Sequence, residues 1–298
     1  MRSTRPGIAV IEQPMPGHLL AATNCYVIAT DGGALVIDPG YKTPGGLERI
    51  ELGLSAIQRG FGDVQIVMLT HSHRDHSESA ETLRERTGAV VAMHPHDWVT
   101  GSSGEMSAAL LRSWGVPDDR WAGLIGRKLP HATPSDFELV PGVELPTSIG
   151  LLRVVHAPGH TAGSVCFAID DANLIFTGDH VLPDLNPGAG LGGSFTENPL
   201  RQYLRSLKAM EQFEGYEGYP GHGASLPSVN GRARDIADHH RRRTREVLGI
   251  VRSQPTATVW EIAERVRWGG GFHSLEGGRL VSALRQTLWH RELAEELE

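Results

Sequence analysis

The chain has 298 residues, of which 40% are hydrophobic and 21% are charged, and its formal net charge at pH 7 is −7. This composition is that of an ordinary globular protein with a core, and the acidic balance argues against nucleic acid or an anionic membrane as a partner. No apolar run approaches the roughly 18 residues that cross a membrane, and the N-terminal residues lack the apolar stretch of a signal sequence. We therefore expect a cytoplasmic protein. Its two cysteines, Cys25 and Cys166, are expected to be buried free thiols, with a single disulfide as the alternative.

Short apolar runs that end in Gly, Pro or Asp recur along the first three quarters of the chain. Rich in Val, Ile and Leu, they predict strands over residues 25–29, 34–37, 65–69, 89–93, 151–155, 164–169 and 174–176. Helical patterns lie between them, at 46–59, 77–86 and 198–213, and Ser77 is a candidate cap for the second of these. Helices that alternate with two sets of strands predict a four-layer α/β/β/α sandwich.

Two segments depart from this rhythm. Residues 97–135 carry a helical apolar stripe that includes Leu110 and Trp114, which predicts a helical insertion with its own small core or, alternatively, a lid or wall of a substrate pocket. After residue 228 the pattern becomes one long helix over 231–251 and two further helices around a Gly-rich WGGGF segment. We therefore predict a catalytic domain over 1–228 and a small helical, winged-helix-like domain over 229–298.

A dense group of metal-ligand side chains follows the predicted strand 65–69. The segment THSHRDH supplies His71, His73, Asp75 and His76 within six residues. Side chains two apart on an extended loop point the same way, so His71 and His73 can hold one metal, while Asp75 and His76 can face a second site after the turn. Imidazole and carboxylate ligands suit Zn, Fe or Mn.

Three further positions stand where predicted strands end beside glycines. They are His160 in HAPGHTAGS, Asp179 in LIFTGD and His222 in GYPGHG. Each is a weak signal alone, because loop histidines and strand-end aspartates are common. Glycine permits the close backbone approach that a shared site requires, and together with the first group these residues supply enough ligands for two metals.

The run His71-Ser-His73-Arg-Asp75-His76, followed by His160, Asp179 and His222, resembles the metallo-β-lactamase superfamily, in particular its glyoxalase II-like hydrolases. The resemblance covers about residues 8 to 225. It implies one metal on His71, His73 and His160, a second metal on Asp75, His76 and His222, and Asp179 as the bridge. It also matches Asp38 in ALVIDPG to an early aspartate that supports the ligands, although a strand-ending turn residue is an equally good interpretation.

The resemblance implies a mechanism and a substrate class. Two divalent ions, zinc first and Fe or Mn as alternatives, would share a bridging hydroxide that attacks the carbonyl of a thioester, ester or lactone. Asp75 would orient this nucleophile and accept its proton. The apolar insertion predicts a small-molecule substrate with an apolar acyl group, and homodimer formation is left open.

Departures from the family pattern narrow this prediction. Common β-lactamases have cysteine at the position of Asp179, so antibiotic hydrolysis is not expected, and the tail lacks the basic pattern with which glyoxalase II binds glutathione. Two alternatives stay open. One is a single-stranded RNA endonuclease with a similar C-terminal module, and the other is a persulfide dioxygenase with one iron on the counterparts of His71, His160 and Asp179.

Other histidines and arginines are ambiguous in the sequence. His94, His96 and His156 are interpreted as structural, whereas His180 beside Asp179 is a candidate for substrate contact. The arginines between 232 and 245 alternate with acidic residues, which is typical of a solvated helix face.

Overall fold

The computed structural model describes residues 2–17, 20–98, 106–125 and 135–296, with two β-sheets at its centre. The first sheet has seven strands in chain order: β1 Arg2–Arg5, β2 Ile8–Pro14, β3 Ala22–Thr30, β4 Gly33–Ile37, β5 Val64–Met68, β6 Val90–Met93 and β7 Phe137–Glu138. Strands β1 to β4 pair antiparallel, and β4 to β7 pair parallel. In the parallel half, helices connect β4 to β5 and β5 to β6.

The second sheet has five strands: β8 Glu144–Thr147, β9 Gly150–His156, β10 Val165–Ile169, β11 Leu174–Gly178 and β12 Glu217–Pro220. Its spatial order is β12-β11-β10-β9-β8, and only the β11–β12 pair is parallel among them. The crossover from β11 to β12 carries one of the helices that cover this sheet.

The helices described are α1 Gly46–Ala56, α2 Arg74–Ser77, α3 Ala80–Thr87, α4 Pro95–Trp98, α5 Ala108–Ser113, α6 Pro199–Ala209, α7 Val229–Ser253, α8 Val259–Arg265 and α9 Gly277–Glu295. The alternation of side chains along each strand decides which layer each residue joins. On β3, Tyr26 and Ile28 face the second sheet, whereas Val27 faces the outer helices. Helices α1 and α3 cover the first sheet, and α6 and α7 cover the second. The chain therefore has the four-layer α/β/β/α arrangement that the sequence predicts.

Each predicted strand overlaps an observed one, and the predicted helices are present with shifted ends. Strands β1, β2, β7, β8 and β12 are additions that the apolar runs did not predict. The predicted cap at Ser77 is wrong: Ser77 is the last residue of α2, and its hydroxyl donates to the carbonyl of Ser72. Residues 74–77 form a separate helical turn because the amides of His76 and Ser77 both donate to the carbonyl of His73. The cysteines are free and buried, as expected.

The insertion and the tail share one hydrophobic core. Leu111 and Trp114 pack with Trp260 and Leu284, and the Trp260 amide donates to the Trp114 carbonyl at 2.9 Å. The prediction that the insertion has its own small core is therefore wrong for residues 106–125, because this short segment buries its apolar side chains against α8 and α9 instead. The remainder of the predicted insertion, 99–105 and 126–134, lies outside the described residues.

The tail consists of α7, α8 and α9, with a 3-10 turn at Phe272–Ser274 between the last two. No strand occurs across the described residues 229–296, so the β-wing of a winged helix is missing from this part of the chain. Helices α7 and α9 pack on α6 through a cluster that includes Ile236, Trp289 and Leu293. None of the described helices combines the length and apolarity needed to cross a bilayer.

Candidate metal centre

All seven side chains predicted as ligands meet at one end of the two sheets. His71 and His73 lie in the loop after β5, and Asp75 and His76 lie on α2 directly behind it. Asp179 follows β11, His222 follows β12 and His160 lies between β9 and β10. Parallel strands place their carboxyl ends together, which brings these separate segments to the same edge.

Two glycines allow the segments to approach closely. A Cβ at Gly178, which has φ +48°, would lie 2.5 Å from the hydroxyl of Thr70. A Cβ at Gly221 would lie 2.6 Å from His76 Cε1 and 2.7 Å from Asp179 Oδ1. Any side chain at these positions would force the ligand loops apart.

The first group of ligand atoms consists of His71 Nε2, His73 Nδ1 and His160 Nε2. His71 Nε2 lies 2.9 Å from His73 Nδ1, and His160 Nε2 lies 3.0 Å from the same atom. Ring planes that cross at 79° to 88° aim these nitrogens at a common point rather than stacking the rings.

The second group consists of Asp75 Oδ2, His76 Nε2 and His222 Nε2. His222 Nε2 lies 3.3 Å from both Asp75 Oδ2 and His76 Nε2, and His76 Nε2 lies 3.7 Å from Asp75 Oδ2. Asp179 stands between the two groups. Its Oδ1 is 3.4 Å from the Nε2 atoms of His76 and His222, and its Oδ2 is 3.6 Å from His160 Nε2.

Backbone carbonyls fix the tautomers of three of these histidines. His160 Nδ1, His73 Nε2 and His222 Nδ1 face the carbonyls of Gly188, Leu191 and Ala22 at 2.9, 3.2 and 2.7 Å respectively. A carbonyl can only accept, so each of these nitrogens carries the ring proton and the other ring nitrogen keeps its lone pair.

Asp38 fixes the tautomers of the other two. Its carboxylate accepts from the amide and hydroxyl of Thr70 at 2.8 and 2.7 Å and from His76 Nδ1 at 2.8 Å. Because Thr70 gives its hydroxyl proton to Asp38, its oxygen accepts from His71 Nδ1 at 3.0 Å. Asp38 also has φ +49° at the end of β4, so it supports the ligands and turns the chain, and both interpretations of the sequence hold.

The donor set fits divalent metal binding. Lone pairs on neighbouring imidazoles repel each other, so nitrogens separated by 2.9 to 3.3 Å need a cation between them. Tetrahedral ligands at about 2.0–2.1 Å from a zinc ion are themselves about 3.3 Å apart, close to this spacing. Asp179 Oδ1 is buried and has no hydrogen-bond partner within the described residues, which is typical of a metal-ligand oxygen.

The local electrostatics divide the histidines into two sets. Burial lowers the pKa of His71 well below its ordinary value and that of His160 to about 4, which keeps both rings neutral. Burial also acts to lower the pKa values of His76 and His222, but the neighbouring carboxylates, Asp179 first, outweigh it and raise both. Three carboxylates beside buried imidazoles make the centre attractive to cations. Only His73 and Asp75 among the seven side chains are partly exposed, so the centre is open to solvent on their side.

Asp97 is a further residue of the centre, and sequence reasoning missed it. It is fully buried on α4, where Oδ2 accepts from the Ser72 amide at 2.8 Å and Oδ1 accepts from the Gly163 amide at 2.7 Å. The hydroxyl of Thr161 also donates to it, at 2.8 Å. Asp97 therefore ties the loop of His71 and His73 to the loop of His160. The sequence carries a weak signal for Asp97, because an aspartate follows the predicted strand 89–93 in AMHPHDW.

A separate cluster consists of His94, His96 and His156, whose ring nitrogens lie close enough together to hold a metal ion. His94 and His156 stack with 4.1 Å between ring centroids and 6° between planes. His94 Nδ1 also accepts from the His96 amide at 3.2 Å. The structural role that the sequence indicates for these residues stays a prediction. His180 is buried against the ring of Tyr203, so direct contact with substrate, which the sequence left open, is not supported.

The arginines of α7 divide into two sets. Arg234, Arg241, Arg242 and Arg245 are exposed, as predicted for a solvated face. Arg232 departs from that prediction because it donates to the carbonyls of Leu182 and Leu185 in the loop after Asp179. Arg243 lies over the ring of Trp268 at 4.6 Å.

A layered α/β sandwich with a histidine and aspartate cluster at its strand ends defines a class of metal-binding proteins. The chain belongs to the metallo-beta-lactamase superfamily, whose family model matches residues 20–222. It is similar to an atrochrysone carboxyl ACP thioesterase of Aspergillus fumigatus, with 30% identity over 234 residues, which cover 78% of this chain and 61% of that protein. The matches to this thioesterase and to two relatives named lactamase-like proteins span 61% to 66% of the lengths of those proteins.

Solved structures show the same architecture. A metallo-beta-lactamase family protein of Thermus thermophilus superposes with a TM-score of 0.78 at 26% identity, covering 99% of this chain and 95% of its own. The protein TTHA1623, solved in a di-iron-bound form, superposes with a TM-score of 0.50 at 25% identity, covering 74% of this chain and 97% of its own.

Proposed function

We propose that this protein is a metal-dependent hydrolase that attacks the carbonyl carbon of a thioester with water and breaks its C–S bond, with ester and lactone as related substrates. The observation that carries this proposal is the convergence of five histidine lone pairs, fixed by their hydrogen bonds, into two adjacent groups joined by Asp179. The likeness to a protein named as a thioesterase and to one solved with two irons supports it.

His71, His73 and His160 would hold one ion, Asp75, His76 and His222 the other, and Asp179 would contact both. Two divalent ions, zinc being the first choice, would supply Lewis acidity for the carbonyl oxygen and would lower the pKa of a water towards about 7. The chain's own contribution is rigidity. Each imidazole is held by a carbonyl or by the Asp38–Thr70 pair, so little reorganises as the substrate reacts.

Asp75 is assigned the proton-handling role. It is partly exposed at the side from which substrate enters, and its Oδ2 faces His222 at 3.3 Å. Its second oxygen, Oδ1, would accept a hydrogen bond from the attacking water, orient it towards the carbonyl carbon and take its proton. A thiolate leaves without prior protonation, so a thioester needs no additional acid at the leaving group. This is the reason for placing thioesters before esters and lactones.

The experiment is elemental analysis and assay of protein purified without chelator. We expect close to two equivalents of Zn, Fe or Mn in total. Hydrolysis of acetyl and longer acyl thioesters of N-acetylcysteamine should be lost on chelation and restored by metal. His222→Ala should reduce both metal content and turnover, whereas His273→Ala, at an exposed position in the tail, should leave them unchanged.

Three results would contradict the proposal. A reproducible single iron with oxygen consumption on persulfides would favour the dioxygenase alternative. Cleavage of single-stranded RNA without turnover of any thioester, ester or lactone would favour the nuclease, for which the exposed arginines of α7 are the relevant surface. Full turnover by a metal-free protein would remove the metal mechanism.

A further inference from the structure

A cavity of about 600 Å³ lies between helix α5, residues 190–199 and helix α9. This volume falls in the range of about 300–1,000 Å³ in which proteins bind drug-sized molecules. Its apolar wall is formed by side chains from all three segments: Leu110, Trp114, Phe195, Leu288 and Trp289. The cavity is therefore built jointly by the insertion, the catalytic domain and the tail.

The cavity lies one loop away from the metal centre. Gly192 lines it, and a Cβ at Gly192 would lie 3.7 Å from His73 Nε2 and 3.1 Å from the methyl group of Thr161. The neighbouring carbonyl of Leu191 accepts from His73. One face of this loop thus contacts a partly exposed ligand of the centre, while residues of the same loop line the cavity.

Helix α9 holds the loop in place. Gly190 has φ +73°, and a Cβ there would lie 2.5 Å from Trp289 Nε1. Asn198 donates to the carbonyl of Trp289 and to Glu292. These contacts fix the position of the Trp289 ring relative to His73, which is what a selective binding wall requires.

The wall favours a flat aromatic ligand. Two tryptophans and a phenylalanine offer ring faces and edges, which pack well against another planar π-system. The indole N–H of Trp289 is buried against Gly190 and is not offered to the cavity. Arg285, Glu197 and Glu292 form the charged part of the lining, and Glu197 pairs with Arg205.

We propose that this cavity binds the acyl group of the substrate, and that the preferred acyl group is a planar aromatic one. The proposal rests on the proposed thioesterase function for its assignment to the acyl side. It goes further, because it names the class of acyl group and the residues that select it.

The test compares two substitutions of serine by tryptophan. Ser194 is exposed at the cavity rim, so Ser194→Trp would fill the cavity without disturbing the core. Ser253→Trp is the matched control, because Ser253 is exposed at the end of α7 and is not among the cavity-lining residues. The readouts are the affinity for 2-naphthoate by calorimetry, and kcat/KM for the 2-naphthoyl and acetyl thioesters of N-acetylcysteamine.

We expect Ser194→Trp to weaken 2-naphthoate binding and to reduce the preference for naphthoyl over acetyl, each by more than about tenfold. Ser253→Trp should stay within about twofold of the wild type in both readouts. Leu110→Gln, which makes the wall polar without filling it, should act in the same direction as Ser194→Trp. Equal 2-naphthoate affinity in the wild type and Ser194→Trp, or no binding at all, would overturn the proposal.

The two proposals fail in different ways. If 2-naphthoate binding responds to Ser194→Trp but no thioester is hydrolysed, the cavity assignment stands and the proposed reaction is wrong. If all thioesters are hydrolysed without preference and Ser194→Trp changes nothing, the reaction stands and the cavity assignment is wrong.

Discussion

Asp38 accepts a hydrogen bond from Nδ1 of His76 at 2.8 Å, although 38 positions separate the two residues in the chain. This pairing holds the ring proton on Nδ1 and leaves the Nε2 lone pair facing His222. The same carboxylate holds Thr70, which in turn holds His71. One buried aspartate therefore orients one histidine in each ligand group.

Asp38→Asn should weaken metal binding by about 10- to 100-fold, the usual effect of losing a partner of a metal ligand. Asparagine tolerates the left-handed φ of +49° found here, so the backbone should keep its course. Asp38 Oδ1 accepts from the Thr70 amide, whereas Oδ2 accepts from both the Thr70 hydroxyl and His76 Nδ1. The NH2 group of asparagine must replace one of these oxygens, so it leaves the donors at that side without an acceptor. Metal affinity measured by competition with a chelator checks this. Asp31→Asn, an exposed carboxylate in the turn after β3, is the control, and an equal loss there would contradict the argument.

Asp179→Ala should release both metals, whereas His222→Ala should release mainly one. The reason is that the two oxygens of Asp179 face different ligand groups, while His222 Nε2 faces only the second. Metal-to-protein ratios after dialysis measure the difference, and circular dichroism monitors the fold. Turnover of Asp179→Ala should fall to background. Near-normal turnover, or the same metal ratio in both variants, would show that Asp179 does not join the two groups.

Asp97→Ala should destabilise the protein by at least about 3 kcal/mol. The substitution leaves the buried amides of Ser72 and Gly163 and the hydroxyl of Thr161 without their acceptor. Urea unfolding of the metal-depleted protein measures the effect without a contribution from bound metal. Asp118→Ala removes an exposed carboxylate and should change the unfolding free energy by less than about 0.5 kcal/mol. A similar small change for Asp97→Ala would mean that this carboxylate does not tie the ligand loops together.

His240 should make the protein less stable in acid. Burial, with smaller effects of His239 and Arg243, lowers its pKa to about 3, while the unfolded chain has the ordinary value of 6.5. Between these two values the unfolded state binds more protons, so stability is complete above pH 6.5 and falls as the pH decreases towards 3. The slope from one such group is at most about 1.4 kcal/mol per pH unit.

His240→Gln should reduce this slope in urea unfolding of the metal-depleted protein between about pH 6 and pH 4.5. Glutamine cannot be protonated in this range and can still donate to the carbonyl of Pro187, which His240 contacts at 3.1 Å. His273→Gln, at an exposed position in the 3-10 turn, is the control. An unchanged slope in His240→Gln would place the acid sensitivity elsewhere, for example at the buried His290.

The sequence by itself determined the sandwich and the ligand candidates. Strand periodicity and turn residues located most strands, because a half-buried or buried strand must repeat its apolar side chains and end at residues that turn. The motif from His71 to His76 indicated metal binding because its side chains are close in the chain. Strand periodicity and the ligand motif both depend on residues that are neighbours in the chain, so the sequence alone shows them.

Only the tertiary structure decided how the distant parts meet. The tautomers depend on carbonyls of Ala22, Gly188 and Leu191, and no residue type reveals where a carbonyl will point. Asp97 and Arg232 act through contacts between segments that are far apart in the chain. The cavity likewise needs the insertion and the tail to bury their apolar stripes against each other, and an apolar stripe specifies that it will be buried but not against which partner.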